Sequence, residues 1–242
     1  PRSRKAARAT VSFFVDTSNI TPNPVSITLK KGPVAATSGT FGTQSFIFSI
    51  LDDITVPVFD GIASFDDIPI YEGSLLSTNF TFSSRNPFQR FTLPNSGVDT
   101  SLISVTVKAN EESTQSVKYT LQENLFSVKS DSKIYYLQEI EDERYELLFG
   151  DNIFGQALEE GNFVTVNYIT SSGDGGNGVN SFAFAGRLTY TRNSIEYNVT
   201  SGISLLTTGL QSSGGESIES VASIKKYAPR IYASQNRALT AD

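Results

Sequence analysis

The sequence predicts a mainly β protein: antiparallel β-sandwich or barrel-like domains, followed by a short C-terminal helical segment. Three observations predict it. Apolar and polar side chains alternate with period two in several runs, turn residues divide those runs at roughly 8 to 12 residue spacing, and one stretch near the C-terminus changes to helical spacing.

The alternating runs are Thr10-Val11-Ser12-Phe13, Leu76 to Phe82, Ile103-Ser104-Val105-Thr106-Val107 and Val164-Thr165-Val166-Asn167-Tyr168. Period two means one buried and one wet face, and Val, Ile, Thr, Phe and Tyr suit a pleated, half-buried surface. Turn signals separate them: Thr21-Pro22-Asn23-Pro24, Lys31-Gly32-Pro33, Asp60-Gly61, Asn86-Pro87, Pro94-Asn95-Ser96-Gly97 and Asn193-Ser194. Short strands at this spacing argue for antiparallel sandwiches or barrels and against βαβ units.

Two glycine-rich stretches interrupt the pattern, Ser171 to Gly178 and Gln211 to Gly215. After the second, Ile218, Val221, Ala222, Ile224 and Tyr227 recur at near-helical spacing. Glu216 and Glu219 at the start and Lys225, Lys226 and Arg230 at the end complement a helix dipole, and Pro229 sets the stop at Ala228. Ser213 and Glu216 fit a loose capping box. The expected organisation is an N-terminal β-rich domain over 1–90, a β domain over 91–212, and a helical segment over 213–242 belonging to a longer chain. The start, without Met or an apolar stretch behind its basic residues, reads as the interior of that longer chain and not as a signal peptide.

Composition narrows the chemistry. The 242 residues include no Cys and no His, which removes thiol nucleophiles, disulfides, imidazole metal ligands and a serine–histidine triad within this chain. Carboxylates, Lys and Tyr remain as catalytic candidates. Net charge is −6, although Arg2, Arg4, Lys5 and Arg8 crowd the first eight positions. The acidic remainder is a poor partner for phosphate backbones, which need clustered cations. The basic start reads as a solvated helical end or linker, with an acidic neighbour or nucleic acid as the alternative. No apolar run approaches the ~18 to 20 residues of a membrane helix.

The motifs that could carry catalysis or ligand binding are weak. Gly173 to Gly178 lacks the Gly-Lys-Ser/Thr ending of a phosphate loop and reads as a surface loop. The acidic neighbours Asp52-Asp53, Asp66-Asp67, Glu111-Glu112, Glu141-Asp142-Glu143 and Glu159-Glu160 point apart along a strand or turn. They read as solvated loop edges and not as a glycosidase pair. No spacing matches a calcium loop. The 17 Phe and 10 Tyr fall mainly in strand-like segments (Phe13-Phe14, Phe46, Phe48, Phe80, Phe82, Phe88, Phe91), where core packing is expected.

Two segments are more specific. The first runs Glu143-Arg144-Tyr145-Glu146-Leu147-Leu148-Phe149-Gly150-Asp151-Asn152-Ile153-Phe154-Gly155, then the strand Val164 to Tyr168, then Gly176-Asn177-Gly178-Val179. The second runs Gly214-Gly215-Glu216-Ser217-Ile218-Glu219-Ser220, then Ala228-Pro229, then Asn236-Arg237-Ala238-Leu239-Thr240-Ala241-Asp242. This order resembles the baseplate-J-like family of contractile tails, and within it the baseplate wedge subunits of T-even-type phages. That family places a Phe-Gly-Asp-Gly-x-x-Gly turn before a strand ending in Tyr, then a Gly/Asn loop, a Gly-Gly-x-acid-x-Glu helix start, an Ala-Pro and an Arg-Ala-x-Thr. Asn152 stands where the family has a second glycine. Asn tolerates left-handed geometry next best. The resemblance covers residues 85 to 242, and residues 1 to 84 carry only the general β pattern.

The resemblance implies a structural, non-enzymatic virion protein of the tail baseplate, made in the host cytoplasm. It would associate with itself as a homodimer or ring and link neighbouring baseplate wedge proteins into a ring around the central hub, a ring that rearranges on sheath contraction. It implies no cofactor, metal, nucleic acid, membrane or small-molecule substrate. Phe149, Gly150, Asp151, Asn152 and Gly155 would form a structural turn, with Phe149 and Phe154 anchored in the core. Gly176, Asn177, Ile218, Val221 and Tyr227 are the candidate interface, with intrachain packing as the alternative. A receptor- or glycan-binding β module of a tail and a cell-wall hydrolase are the competing functional readings.

Overall fold

The computed structural model describes residues 3–37, 44–86, 88–123 and 128–219. The chain is mainly β, with 51% of residues in strands and 3% in short helical turns. In chain order the first strands are β1 (Arg8–Asp16), β2 (Ser26–Leu29), β3 (Gly32–Thr37), β4 (Ile47–Ile50), β5 (Ile54–Pro57) and β6 (Ile62–Glu72). Next come β7 (Ser74–Thr81), β8 (Phe91–Thr92), β9 (Val98–Lys108), β10 (Ser116–Leu121), β11 (Ile134–Glu139), β12 (Tyr145–Phe149) and β13 (Phe163–Thr170). The last are β14 (Phe182–Phe184), β15 (Leu188–Arg192), β16 (Ile195–Val199) and β17 (Thr207–Thr208). The four alternating runs of the sequence fall on β1, β7, β9 and β13.

These strands make three sheets, of orders β14-β3-β4-β6-β1-β17, β16-β15-β2-β5 and β7-β13-β9-β10-β11-β12-β8. Every described pair is antiparallel except β10–β11, where Thr120 faces Ile134 and Leu121 faces Tyr135 in parallel. The six- and four-stranded sheets share one core. Val11, Phe13, Phe48, Phe65 and Ile70 from the first pack with Ile27, Leu29, Leu188 and Val199 from the second. Phe13 stacks on Phe65 at 4.7 Å between centroids, and Phe48 meets Phe182 edge-on at 5.0 Å.

The seven-stranded sheet instead curls around its own core of Val105, Val107, Tyr119, Tyr135, Leu147, Val164, Val166 and Tyr168. Its two edge strands approach each other: Phe80 of β7 lies 5.4 Å from Phe91 of β8. The sheet is therefore a nearly closed barrel, which hides most of its open edge. A small third cluster of Ala6, Leu102 and Ile169, flanked by Leu51, Tyr71 and Leu75, joins barrel and sandwich.

The strand pairing does not follow a division at residue 90. The barrel is the contiguous stretch from β7 to β13, whereas the sandwich combines β1–β6 with β14–β17. The chain enters the barrel at Gly73, directly after β6, and leaves it at Ser171. The nesting was hidden because β7 alternates like any other strand, and its partner β13 lies about ninety residues further on.

Two further expectations are corrected. Within the described residues the basic start is neither a helical end nor a linker: Lys5 and Arg8 pair in extended form with Glu216 and Ser213. For the same reason Ser213 and Glu216 are not a helix cap, and residues 211–219 contain no helical turn. The expected helix from Ile218 to Ala228, with Val221 and Tyr227, lies almost wholly in residues 220–242, outside the described residues.

Candidate functional site

The Phe149 turn follows β12 at one end of the barrel. Phe149 is half-buried and packs edge-on against Phe91 at 5.2 Å and Tyr119 at 5.9 Å. Asp151 Oδ1 accepts from the backbone N–H groups of Phe154 at 2.8 Å and Ile153 at 2.9 Å. Those donors hold its carboxyl below the ordinary carboxylate value. Asn152 adopts φ 68°, the left-handed geometry its side chain tolerates, and its Oδ1 accepts from Ala157 N–H at 2.9 Å. Gly150 lies flat on Gly155, where an added Cβ would sit 2.2 Å from the Gly155 carbonyl carbon. The turn is therefore a self-contained brace. Phe154 departs from expectation: it is 44% exposed, as is its neighbour Ile153 at 66%, because the Asp151 cap turns both outward.

The second constellation joins the glycine loop to the Gly214-Gly215-Glu216 stretch. Residues 212–217 lie as an extended strip between the N-terminal segment and the loop. On one side Arg8 and Ser213 exchange backbone hydrogen bonds at 2.8 and 3.0 Å, and Lys5 and Glu216 do so at 2.9 and 3.1 Å. On the other side Asn177 uses both ends of its side-chain amide on Gly215, donating to its carbonyl at 3.0 Å and accepting from its N–H at 2.9 Å. The Ser212 hydroxyl donates to Gly176 O at 2.6 Å and accepts from Val179 N–H at 2.9 Å. Ser217 Oγ donates to Asp174 Oδ1 at 2.6 Å. Gly215 must be glycine here, since a Cβ would lie 2.3 Å from Gly173 O.

The candidate interface residues are thus placed as follows. Gly176 is buried, and Asn177 is half-buried and bonded within the chain. Ile218 is half-buried just beyond the strip. Val221 and Tyr227 lie outside the described residues.

Three buried carboxylates were missed by sequence reading, because none belongs to an acidic pair. Glu72 accepts from Ser171 Oγ at 2.6 Å and Ser172 N–H at 3.1 Å, tying the end of β6 to the start of the glycine loop. Asp99 accepts from Ala6 N–H at 2.8 Å and from the Ser101 hydroxyl at 2.6 Å, holding the N-terminal segment onto β9. Glu146 receives a two-pronged contact from Arg90, at 2.7 and 2.6 Å, and this guanidinium keeps its carboxyl below the ordinary value. The three are spread along the molecule and each is engaged by neighbours, an arrangement that fixes loops. The acidic neighbours singled out in the sequence are exposed, apart from half-buried Glu143. Burial pushes the Tyr135 hydroxyl up to about 12, and burial with nearby Glu139, Glu143 and Asp99 does the same to Tyr145.

A groove of ≈ 790 Å³ opens between β1 and residues 209–214 and is lined in part by Lys5, Arg8, Tyr71, Asp99 and Ser213. Three of its charged groups are engaged: Lys5 pairs with Glu216 at 3.2 Å, Arg8 lies over the Tyr71 ring at 5.9 Å, and Asp99 accepts from Ala6 N–H, while Asp67 is exposed. Large apolar side chains are exposed both on its rim, Leu210 at 83%, and elsewhere, Leu205 at 90%, Val25 at 86%, Phe59 at 73% and Phe88 at 88%. Of the phenylalanines for which core packing was expected, Phe14 and Phe88 are exposed instead, at 47% and 88%.

A scan against protein-family models finds no match, and a comparison with curated protein sequences finds none either.

Proposed function

We propose that this chain is a structural, non-catalytic subunit of a contractile-tail baseplate wedge. It associates with itself and links neighbouring wedge proteins into a ring that rearranges when the sheath contracts. The observation that supports this reading best is the interlock between residues 174–179 and 212–217. These two segments overlap the family-like stretches Gly176–Val179 and Gly214–Ser220, lie more than thirty residues apart, and hydrogen-bond to each other through Asn177, Ser217 and the adjoining Ser212. Their polar groups serve to hold backbone, as a scaffold requires. The Phe149–Gly155 turn is of the same kind, with Asp151 and Asn152 bonded to the turn's own amides. Exposed apolar side chains such as Phe59, Leu205 and Leu210 suit a protein that packs against neighbours.

The test is electron microscopy of contractile tails decorated with antibodies raised against this chain. Label on the baseplate ring supports the proposal. Label at fibre tips, together with retention on a glycan array, would favour the glycan-binding alternative, and label along the sheath or its absence would overturn the baseplate reading.

A further inference from the structure

The sandwich has, among the described residues, one open edge that is left undefended. Among the described residues, β16 pairs only with β15, and its other side carries no strand or backbone hydrogen bond. The other edges are short or blunted. β8 and β17 have two residues each, β14 has three, β5 ends in Pro57, and β7 closes toward β8 through Phe80 and Phe91. The strand Ile195-Glu196-Tyr197-Asn198-Val199 has no Pro, no Lys and no bulge in its pairing with β15.

The geometry of the hairpin decides which groups are free. β15 and β16 are joined by the two residues Asn193 and Ser194, both at positive φ, with Arg192 opposite Ile195. In a two-residue hairpin the flanking pair is hydrogen-bonded, and bonding then alternates along the strand. Ile195, Tyr197 and Val199 therefore direct their backbone groups toward β15. Glu196 and Asn198 direct theirs outward, to an empty edge.

We infer that β16 is a self-pairing edge, through which two copies of this chain join their four-stranded sheets antiparallel into one eight-stranded sheet. This deepens the self-association in the reading above and rests on it. The strand selects its own partner and register. With a two-fold axis at Tyr197, Glu196 faces Asn198 of the other copy. Both residues have outward N–H and C=O groups, so four backbone hydrogen bonds form. Side chains match too: Ile195 faces Val199, and the Asn198 amide can donate to the facing Glu196 carboxylate. Shifting the axis to residue 196 would set Glu196 against its own copy, a like-charge contact. On the same face, Tyr197 is stacked on Tyr190 at 5.4 Å, 41% exposed, and Ile195 is 55% exposed. The pairing covers this apolar rim. On the opposite face Glu196 is already held by Arg187 at 2.6 Å and Lys30 at 3.5 Å, so it is fixed in place for the contact.

The absence of cysteine makes a direct test available in the full 242-residue chain. Residues facing each other in a non-hydrogen-bonded antiparallel pair have Cα atoms about 4.5 Å apart, within disulfide range. Tyr197→Cys sits on the axis and should form a covalent dimer with diamide as oxidant. Ile195→Cys is more exposed but lies about 14 Å from its counterpart, four residues along the strand, and should not. Adding Asn198→Glu to the Tyr197→Cys chain sets two carboxylates face to face on each side of the axis. It should slow crosslinking about tenfold.

Crosslinking of both single-cysteine chains alike, of neither, or without response to Asn198→Glu overturns the inference. Failure on both counts is also what a different partner strand on this edge would give. A chain that labels the baseplate ring yet fails to crosslink removes this inference and leaves the functional reading standing.

Discussion

The barrel and the sandwich solve the same problem, a sheet with edges, in different ways. The barrel is one contiguous stretch of chain, from β7 to β13, and it seals itself by curling until Phe80 and Phe91 touch. The sandwich is assembled from both ends of the chain, and its seam needs added hardware. The N-terminal segment, the strip 212–217 and the glycine loop bond side by side, with Glu72 and Asp99 fastening the corners. Local curvature thus closes a sheet on its own, whereas discontinuous pieces require specific polar locks and, among the described residues, leave the outer edge of β16 unpaired.

Four perturbations probe this contrast. The largest effect should come from the sandwich core. Phe48→Ala empties a fully buried site that meets Phe182 edge-on, and should cost about 3–5 kcal/mol in urea unfolding. A loss below about 1 kcal/mol would mean that the two sheets are not packed as described. Next is the seam. Ser212→Ala removes a hydroxyl that is 1% exposed and leaves both Gly176 O and Val179 N–H short of a partner. It should cost about 1–3 kcal/mol and speed amide exchange at Val179 and Gly178, while β9 and β13 in the barrel keep their protection. Equal loss of protection in the barrel would show the two regions to be one cooperative unit.

A smaller effect tests the barrel's own polar clamp. Arg90 holds the Glu146 carboxyl below its ordinary value of 4.5 in the folded chain. Its contribution is therefore complete above that value and disappears as pH falls through the lower folded-state value. Glu146→Gln should flatten this part of the acid limb in melting temperature against pH, whereas an unchanged limb would remove the clamp from the account. The smallest effect belongs to the outward-facing turn. Phe154→Ala should change stability by less than about 0.5 kcal/mol. A loss of several times that would restore Phe154 to the core.

What could be read from the sequence follows the same contrast. The strands β1, β7, β9 and β13 were legible because their sequences alternate apolar and polar, which in β1 matches one wet and one dry face, whereas β13 is buried on both faces from Val166 to Ile169. The left-handed residue at Asn152 and the turn at Asn193-Ser194 were legible because few residue types accept those angles. The nesting of barrel within sandwich was not, since pairing between residues a hundred or more positions apart leaves no trace in local periodicity. The pairing of Lys5–Arg8 with 213–216 was hidden for a further reason: a basic start and a Ser-Gly-Gly-Glu stretch resemble a linker and a helix cap when each is read alone. The buried carboxylates Glu72, Asp99 and Glu146 carry no motif, because their partners are backbone amides and distant side chains.

The claim beneath the whole account is that this chain's surfaces hold copies and neighbours together. Sedimentation equilibrium of the 242-residue chain over a hundredfold range of concentration tests it most directly. The weight-average mass should climb from 26.3 kDa toward twice that value as concentration rises. A mass that stays at 26.3 kDa throughout would contradict it.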